Sequence, residues 1–415
     1  MVRVTSNSAP ALRFDGFDGE WNVISLSDHA TFSRGKGYSK ADVGTGTYPL
    51  FLYGQLYTNY STEIRSITTF SRMNDGSVVS TGREVLMPAS DVTPTNIVRA
   101  SHLKVPDVLL GGDLNVITPG DGIDPTFLAL ELTGGSSRAE LLNNIQGATV
   151  KHLHLGPIRN LKLVVPSVKE QRAIGELFAD LDALIEQHRA KHKNLQRTKT
   201  ALLQRMFPQD GTNEPELRLG GFSGAWETVS FDSLLTRVEI GTNILGSTRY
   251  HGVPLLKMGN IQRGFFDFSS FERLPDSAEL SSDSLVRTGD FLFNTRNTME
   301  LVGKGATWMG ESGAFAFNGN IARFTLERVD TKFFNYLYNH PRSIRDVNKC
   351  ATGTTSVAAI YPRSLKSVQF QIPTIEEQHA IGEAFSNLDE LIAAESRYIT
   401  QLTQAKTALL QRMFV

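Results

Sequence analysis

Pro166–Phe207 reads PSVKEQRAIGELFADLDALIEQHRAKHKNLQRTKTALLQRMF, and Pro373–Phe414 reads PTIEEQHAIGEAFSNLDELIAAESRYITQLTQAKTALLQRMF. The second stretch follows the first at a constant offset of 207 residues without a gap. That period is too long for a solenoid repeat, so it implies two large units that each end in the same element. Each copy reads as one long helix. Ser167 and Thr374 stand at N-cap positions with Glu170 and Glu377 three residues on, the pattern of a capping box. Apolar residues recur every seven positions, as Ile174, Leu181, Leu195, Leu202 and as Ile381, Leu388, Leu402, Leu409. Such spacing predicts a coiled coil. Both lines break at the same repeat position, His188 in one copy and Glu395 in the other.

Charge predicts how the helices pair. Residues 167–187 carry a net −3 and 188–207 a net +6; residues 374–395 carry −6 and 396–414 carry +3. Only antiparallel pairing sets opposite signs together along the whole length. Because exposed ion pairs are individually weak, the pattern selects orientation more than it adds stability. About a twofold near the helix midpoints, His188 is expected beside Glu395. A polar pair at a seam position fixes register at some cost in stability.

The flanking regions repeat as well. Arg13-Phe14-Asp15-Gly16-Phe17-Asp18-Gly19-Glu20-Trp21 corresponds to Arg218-Leu219-Gly220-Gly221-Phe222-Ser223-Gly224-Ala225-Trp226, and Tyr48–Leu56 to Val253–Ile261. Thr81–Leu86 answers Thr288–Phe293. The first region has β-like runs at Tyr48–Tyr57, Ser77–Val79, Glu84–Met87 and Asn115–Thr118, and helical patterns at Pro125–Leu132 and Arg138–Ile145. Irregular mixing of strands and helices predicts an α+β class. The expected order is a globular region over residues 1–165, a helical spacer over 166–207, a polar linker over 208–216, a second globular region over 217–372 and a second helical spacer over 373–415. Between the matching anchors the loops and their polar residues diverge, as two binders of one fold with different specificity would.

Composition narrows the function classes. Lys and Arg total 42 against 43 Asp and Glu, net −1, so any nucleic-acid contact needs local patches. Cys350 is the only cysteine, which excludes an internal disulfide and a cysteine-rich zinc site. The start MVRVTSNSAPALRF has no apolar run of a secretory signal, and no window approaches the roughly 18 apolar residues of a membrane span. A cytoplasmic location is expected. There is no Gly-x-x-x-x-Gly-Lys-[Ser/Thr] phosphate loop, no Asn/Asp-Pro-Pro-aromatic run and no triad context. His152-Leu153-His154 is the only close histidine pair outside the helices, with nothing nearby to complete a metal site. No catalytic residue and no metal ligand is expected.

Two target-binding regions, each followed by a helix of the P-[ST]-x-x-E-Q-x-A-I-G-E … K-T-A-L-L-Q-R-M-F type, resemble the specificity (S) subunit of type I restriction–modification enzymes. The Gly-Phe-x-Gly-x-Trp openings, Gly289–Arg296 and Gly353-Thr354-Thr355 are similar to that family too. The first region departs from it, with Arg83-Glu84 near the place of Asp290 and Gly147-Ala148-Thr149 in place of Gly-Thr-Thr. The resemblance implies two target recognition domains, each reading half of a split, asymmetric duplex DNA site. It implies an antiparallel helical spacer and two docked methyltransferase (M) subunits. Restriction (R) subunits would join through these. S-adenosylmethionine, ATP and Mg would belong to the partner subunits, with no cofactor in this chain. The other class open to the sequence is a non-enzymatic two-domain protein-binding scaffold.

Bases are read by Arg, Lys, Asn and Gln, and phosphates by cations, hydroxyls and backbone N–H. The candidates are Arg34, Lys36, Tyr38, Lys40, Tyr53, Gln55, Tyr57, Lys151 and His152 in the first region. In the second they are Asn243, Arg249, Tyr250, Lys257, Asn260, Gln262, Arg263, Arg296, Asn297, Thr354 and Thr355. Gln55 and Asn260 occupy matched positions and are the leading base readers. The apolar helix ends, with Ile174, Phe178, Leu203 and Phe207 and their counterparts Ile381, Phe385, Leu410 and Phe414, are expected to dock the partner.

Overall fold

The computed structural model describes residues 10–58 and 60–414, so the first nine residues of the segment read for a leader lie outside it. Two long helices dominate, Val168–Met206 and Ile375–Arg412, of 39 and 38 residues. At 1.5 Å per residue each is about 58 Å long. The chain divides into two compact units, Met1–Ala190 with Glu395–Val415, and Lys191–Ala394. Compactness therefore cuts both helices near their midpoints instead of following chain order.

The first unit is built on a five-stranded sheet in the order Ala30–Arg34, Leu114–Pro119, Glu84–Pro88, Ser101–Leu103, Glu63–Ile64. Beside it lies a four-stranded sheet in which Tyr48–Phe51 pairs in parallel with Pro106–Leu110. A two-stranded ribbon, Asn22–Ser25 with Lys162–Val165, closes the unit before the first long helix begins. The second unit repeats the plan. Its main sheet runs Leu235–Ile240, Ile321–Leu326, Phe291–Asn294, Gly305–Thr307. Pro254–Leu256 pairs in parallel with Ala316–Phe317, and Glu227–Ser230 with Gln369–Ile372 forms the closing ribbon. The run expected as a strand over Tyr48–Tyr57 is a strand only to Phe51. Gln55–Thr58 then turns into one helical turn, because the Gln55 Oε1 accepts the Leu52 N–H at 2.8 Å and ends the extended chain there.

The repeated helix motif is explained inside each unit. The Ser167 and Thr374 hydroxyls accept the Glu170 and Glu377 N–H groups, but the glutamates do not turn back to complete a capping box. Instead they reach sideways. Arg13 donates to both Glu170 oxygens at 2.7 and 2.8 Å, and Arg218 to both Glu377 oxygens at 2.7 and 2.6 Å. The glutamate side chains are 1% exposed, so these are buried, bidentate, charge-assisted pairs. The following glutamines act on a neighbouring helix. Gln171 Oε1 accepts Asp124 N–H at 2.8 Å, and Gln378 Oε1 accepts Asp330 N–H at 2.9 Å. Asp124 and Asp330 in turn cap the helices Pro125–Gly134 and Thr331–Tyr338. The glycine of the AIGE run lies where the long helix crosses that capped end. A Cβ on Gly382 would stand 2.8 Å from the Phe333 nitrogen, and one on Gly175 3.1 Å from the Thr126 Cβ.

The closing RMF of each copy completes a core. Phe414 meets Trp21 and Phe127 in the first unit, with ring centroids at 6.4 and 5.2 Å. Phe207 meets Trp226 and Phe333 in the second, at 5.8 and 5.7 Å. Leu12 N–H caps the Arg412 carbonyl at 2.8 Å, and Leu217 N–H caps the Arg205 carbonyl at 2.9 Å. These contacts overturn the docking expectation. Ile174, Phe178, Phe207, Ile381, Phe385 and Phe414 are buried within their own units, and Leu203 and Leu410 are half-buried against the same cores. Most of the apolar surface at the helix ends is thus taken by the globular cores.

Within each unit the helix segments run antiparallel. In the first, Asp182 pairs with Lys406 and His188 with Glu395. In the second, Lys199 Nζ stands 2.5 Å from Asp389, and Phe207 packs on Phe385. The two heptad breaks meet, His188 Nδ1 lying 2.7 Å from Glu395 Oε2 with the Tyr398 ring 4.5 Å from the imidazole.

Candidate nucleic-acid interface

In each unit one strand of the main sheet ends in a glycine that crosses directly over the neighbouring chain. A Cβ on Gly35 would lie 1.9 Å from the Gly111 carbonyl oxygen, and one on Gly241 2.1 Å from the Phe317 oxygen. No larger residue fits either place. The backbone bonds after the crossing also match, Lys36 N–H to the Leu110 carbonyl and Thr242 N–H to the Phe317 carbonyl, each at 2.9 Å. The loop behind a crossing is therefore held on rigid strands, a sound base for a recognition surface.

In the second unit the crossing opens into a cleft of about 590 Å³. Three sequence candidates line it, Asn243, Lys257 and Arg296, and it is completed by Asn318 and Asn320, which sequence reasoning missed. Their signal was present: Asn318-Gly319-Asn320 is a polar turn joining two strands, opposite a glycine-bearing loop. Lys257 is tied at the rim to Glu272 at 2.8 Å. Asn297 lies next to the cleft residue Arg296 in a short strand that pairs with the hairpin carrying Thr354 and Thr355, and Thr355 accepts Met299 N–H at 3.1 Å. Arg249 and Tyr250 are exposed but are not among the residues lining the cleft.

The first unit presents a different surface. Arg34, at the end of its strand, lies 3.3 Å from His154 Nδ1, and the His152 ring is stacked 6.4 Å from that of His154. Lys36 and Lys40 are exposed, and Tyr53 is partly so. Lys151 is bonded to the Gly147 carbonyl at 2.7 Å. A second cleft of about 660 Å³, between residues 45–48 and 72–79, is lined by none of the candidates.

Several candidates are committed to the fold, and for these the structure corrects the expectation. Asn260 is buried; its oxygen accepts Lys257 N–H, and its nitrogen donates to the Asp267 and Ser270 carbonyls. Gln55 holds the matching turn and donates to Thr69. The matched amides are kept because they pin a turn, not because they face a ligand. Tyr38 is buried, with its hydroxyl 2.6 Å from that of Ser77 and accepting Asn74 N–H. Tyr57 donates to the Ser90 carbonyl, and burial pushes its phenol well above the usual range, so it stays a neutral donor. Gln262 is engaged by Lys304 at 2.6 Å, and one Arg263 nitrogen is enclosed. The departure at Arg83-Glu84 is resolved similarly. Glu84 accepts three successive backbone N–H groups from Thr81 to Arg83, and Asp290 accepts Arg287 N–H, so both carboxylates hold the same turn.

The model for the type I restriction modification DNA specificity domain matches residues 18–197 and again 243–404. The chain belongs to this family. The two family matches fall on the two repeats found in the sequence. Among curated relatives, the type I restriction enzyme MjaVIII specificity subunit of Methanocaldococcus jannaschii is 22% identical over 280 residues, 65% of this chain and 65% of that protein. A putative MjaX specificity subunit of the same organism is 22% identical over 206 residues, 49% of this chain and 48% of the relative. The chain thus spans about half of one of these relatives and just under two thirds of the other. The EcoKI specificity subunit of Escherichia coli K12 is 18% identical over 329 residues, 78% of this chain and 70% of that protein. The crystal structure of a type I restriction–modification S subunit from M. genitalium shares the fold, with a TM-score of 0.62, 11% identity, and coverage of 98% of this chain and 99% of that one. Among the described residues no helix is long and apolar enough to cross a membrane, and no cluster of His, Cys, Asp or Glu could hold a metal ion.

Proposed function

We propose that this chain is the DNA sequence-specificity subunit of a type I restriction–modification complex. Each unit reads one half of a bipartite, asymmetric duplex site, and the paired helices set the spacing between the halves. One observation carries this reading: the two units keep the same glycine crossing on the same strands but present different polar groups there, amides in one and Arg34 with two histidines in the other. A scaffold binding two copies of one protein would need no such divergence.

Two methyltransferase subunits dock on the chain, and restriction subunits join through them. Those partners supply the chemistry, with S-adenosylmethionine for methyl transfer and ATP and Mg for translocation and cleavage. This chain contributes binding and position only. Docking uses exposed helix and domain faces, since the aromatic residues of the helix ends are enclosed.

The test is genome-wide methylation sequencing of a host expressing this chain with its methyltransferase subunits, alongside duplex binding at graded salt. A split, asymmetric methylated motif and salt-dependent, sequence-selective binding are expected. Binding that ignores sequence, with no motif methylated, would sink the reading.

A further inference from the structure

We infer that the cleft of the second unit reads an adenine-containing half-site through the side-chain amides of Asn243 and Asn320, with Asn318 holding them in place. This deepens the proposed DNA-reading function and rests on it.

The cleft is concave, sits on rigid strands and is rich in amides. Asn318 N–H is bonded to the Leu256 carbonyl and Gly319 N–H to the Thr242 carbonyl, at 3.0 and 2.8 Å, so both walls are fixed by backbone bonds. The Asn318 oxygen accepts Asn320 N–H at 3.3 Å and shapes the turn. Among the described residues the side-chain amides of Asn243 and Asn320 make no hydrogen bond, in contrast to Asn260, whose amide is fully engaged. A side-chain amide carries a donor and an acceptor in one plane, the complement of adenine N7 and N6–H₂ in the major groove. Leu245 stands at the rim 83% exposed, where an apolar group can meet the thymine methyl of the same base pair. Arg296, which also lines the cleft, is exposed and free to meet a phosphate or a guanine edge.

At the same place in the first unit the turn is Gly111-Gly112-Asp113, which has no amide, and Asp113 is bonded to the Ser90 hydroxyl at 3.2 Å. The amide reader thus belongs to one unit alone, and its loss should degrade one half of the motif.

The experiment is selection from a randomised duplex library by the full-length chain purified with its methyltransferase subunits, wild type against N243A/N320A. The wild type should enrich a two-part motif. The variant should keep one part intact and lose an A·T position in the other. Affinity for the wild-type motif should fall roughly tenfold or more, with the thermal midpoint unchanged. If the double variant loses stability, N243A and N320A are tested singly. Retention of both parts by a folded variant overturns the inference while leaving the proposed function standing, as does degradation of both parts together. A wild-type chain that enriches nothing removes the proposed function and this inference with it.

Discussion

Arg13 grips Glu170 in one unit as Arg218 grips Glu377 in the other, and Trp21 with Phe127 receives Phe414 as Trp226 with Phe333 receives Phe207. At the glycine crossings the likeness stops, with Lys36 beside Gly111-Gly112 in one unit and Asn243 facing Asn318 and Asn320 in the other. The helix motif is thus the part of each unit that its own core demands. The side-chain amides of Asn243 and Asn320 hold nothing in the core, so they can change at little cost to it. On the proposed reading, specificity and stability reside on different residues.

The sharpest way to break this comparison is at the aromatic plugs. Phe207→Ala should destabilise the second unit, and Phe414→Ala the first, each by about 3–5 kcal/mol. Hydrogen exchange resolved along the chain would show the effect confined to one unit, and equal loosening of both would contradict the assignment. Next come the buried pairs. Arg13→Met or Arg218→Met strands a buried carboxylate and should lower stability by about 2 kcal/mol, similarly in the two units by calorimetry. A value near zero would mean that water reaches the glutamate.

Smaller effects test where the units differ. Asp182 accepts Thr62 N–H at 2.9 Å and pairs with Lys406, whereas Asp389 accepts the Tyr336 hydroxyl and pairs with Lys199 across a more exposed seam. Asp182→Ala should therefore cost more than Asp389→Ala, whose lost ion pair is worth about 0.5–1 kcal/mol. The reverse order in denaturant unfolding would refute it. The smallest change in stability is expected at the seam. His188→Leu with Glu395→Leu should leave the thermal midpoint level or slightly raised, while loosening helix register. Spin-label distances between the two helix segments of the first unit would broaden, and an unchanged distribution would remove the register role.

The architecture was legible because it rests on long-period repetition. The helix repeat pointed to a coiled coil, its charge blocks to antiparallel pairing, and that pairing to His188 beside Glu395; the contacts follow. The functions of single polar residues were much less legible. Gln55 and Asn260 were matched in sequence, yet matching marks a shared structural duty as readily as a shared ligand. The apolar helix ends looked like docking surface because sequence does not reveal that Trp21, Phe127, Trp226 and Phe333 lie waiting to enclose them. Asn318 and Asn320 were not legible as cleft residues because the cleft exists only where the glycine crossing brings distant segments together.

The division of each helix between two cores also has a consequence for synthesis. Everything the second unit needs lies between Lys191 and Ala394, so it can close as soon as that span has left the ribosome. The first unit, although begun earlier, lacks Met413 and Phe414 until the second long helix has been made, and Trp21 and Phe127 stay without their plug in the meantime. Domains usually mature in the order in which they are made. Here the order is inverted, with the unit that is made first completed after the one that follows it.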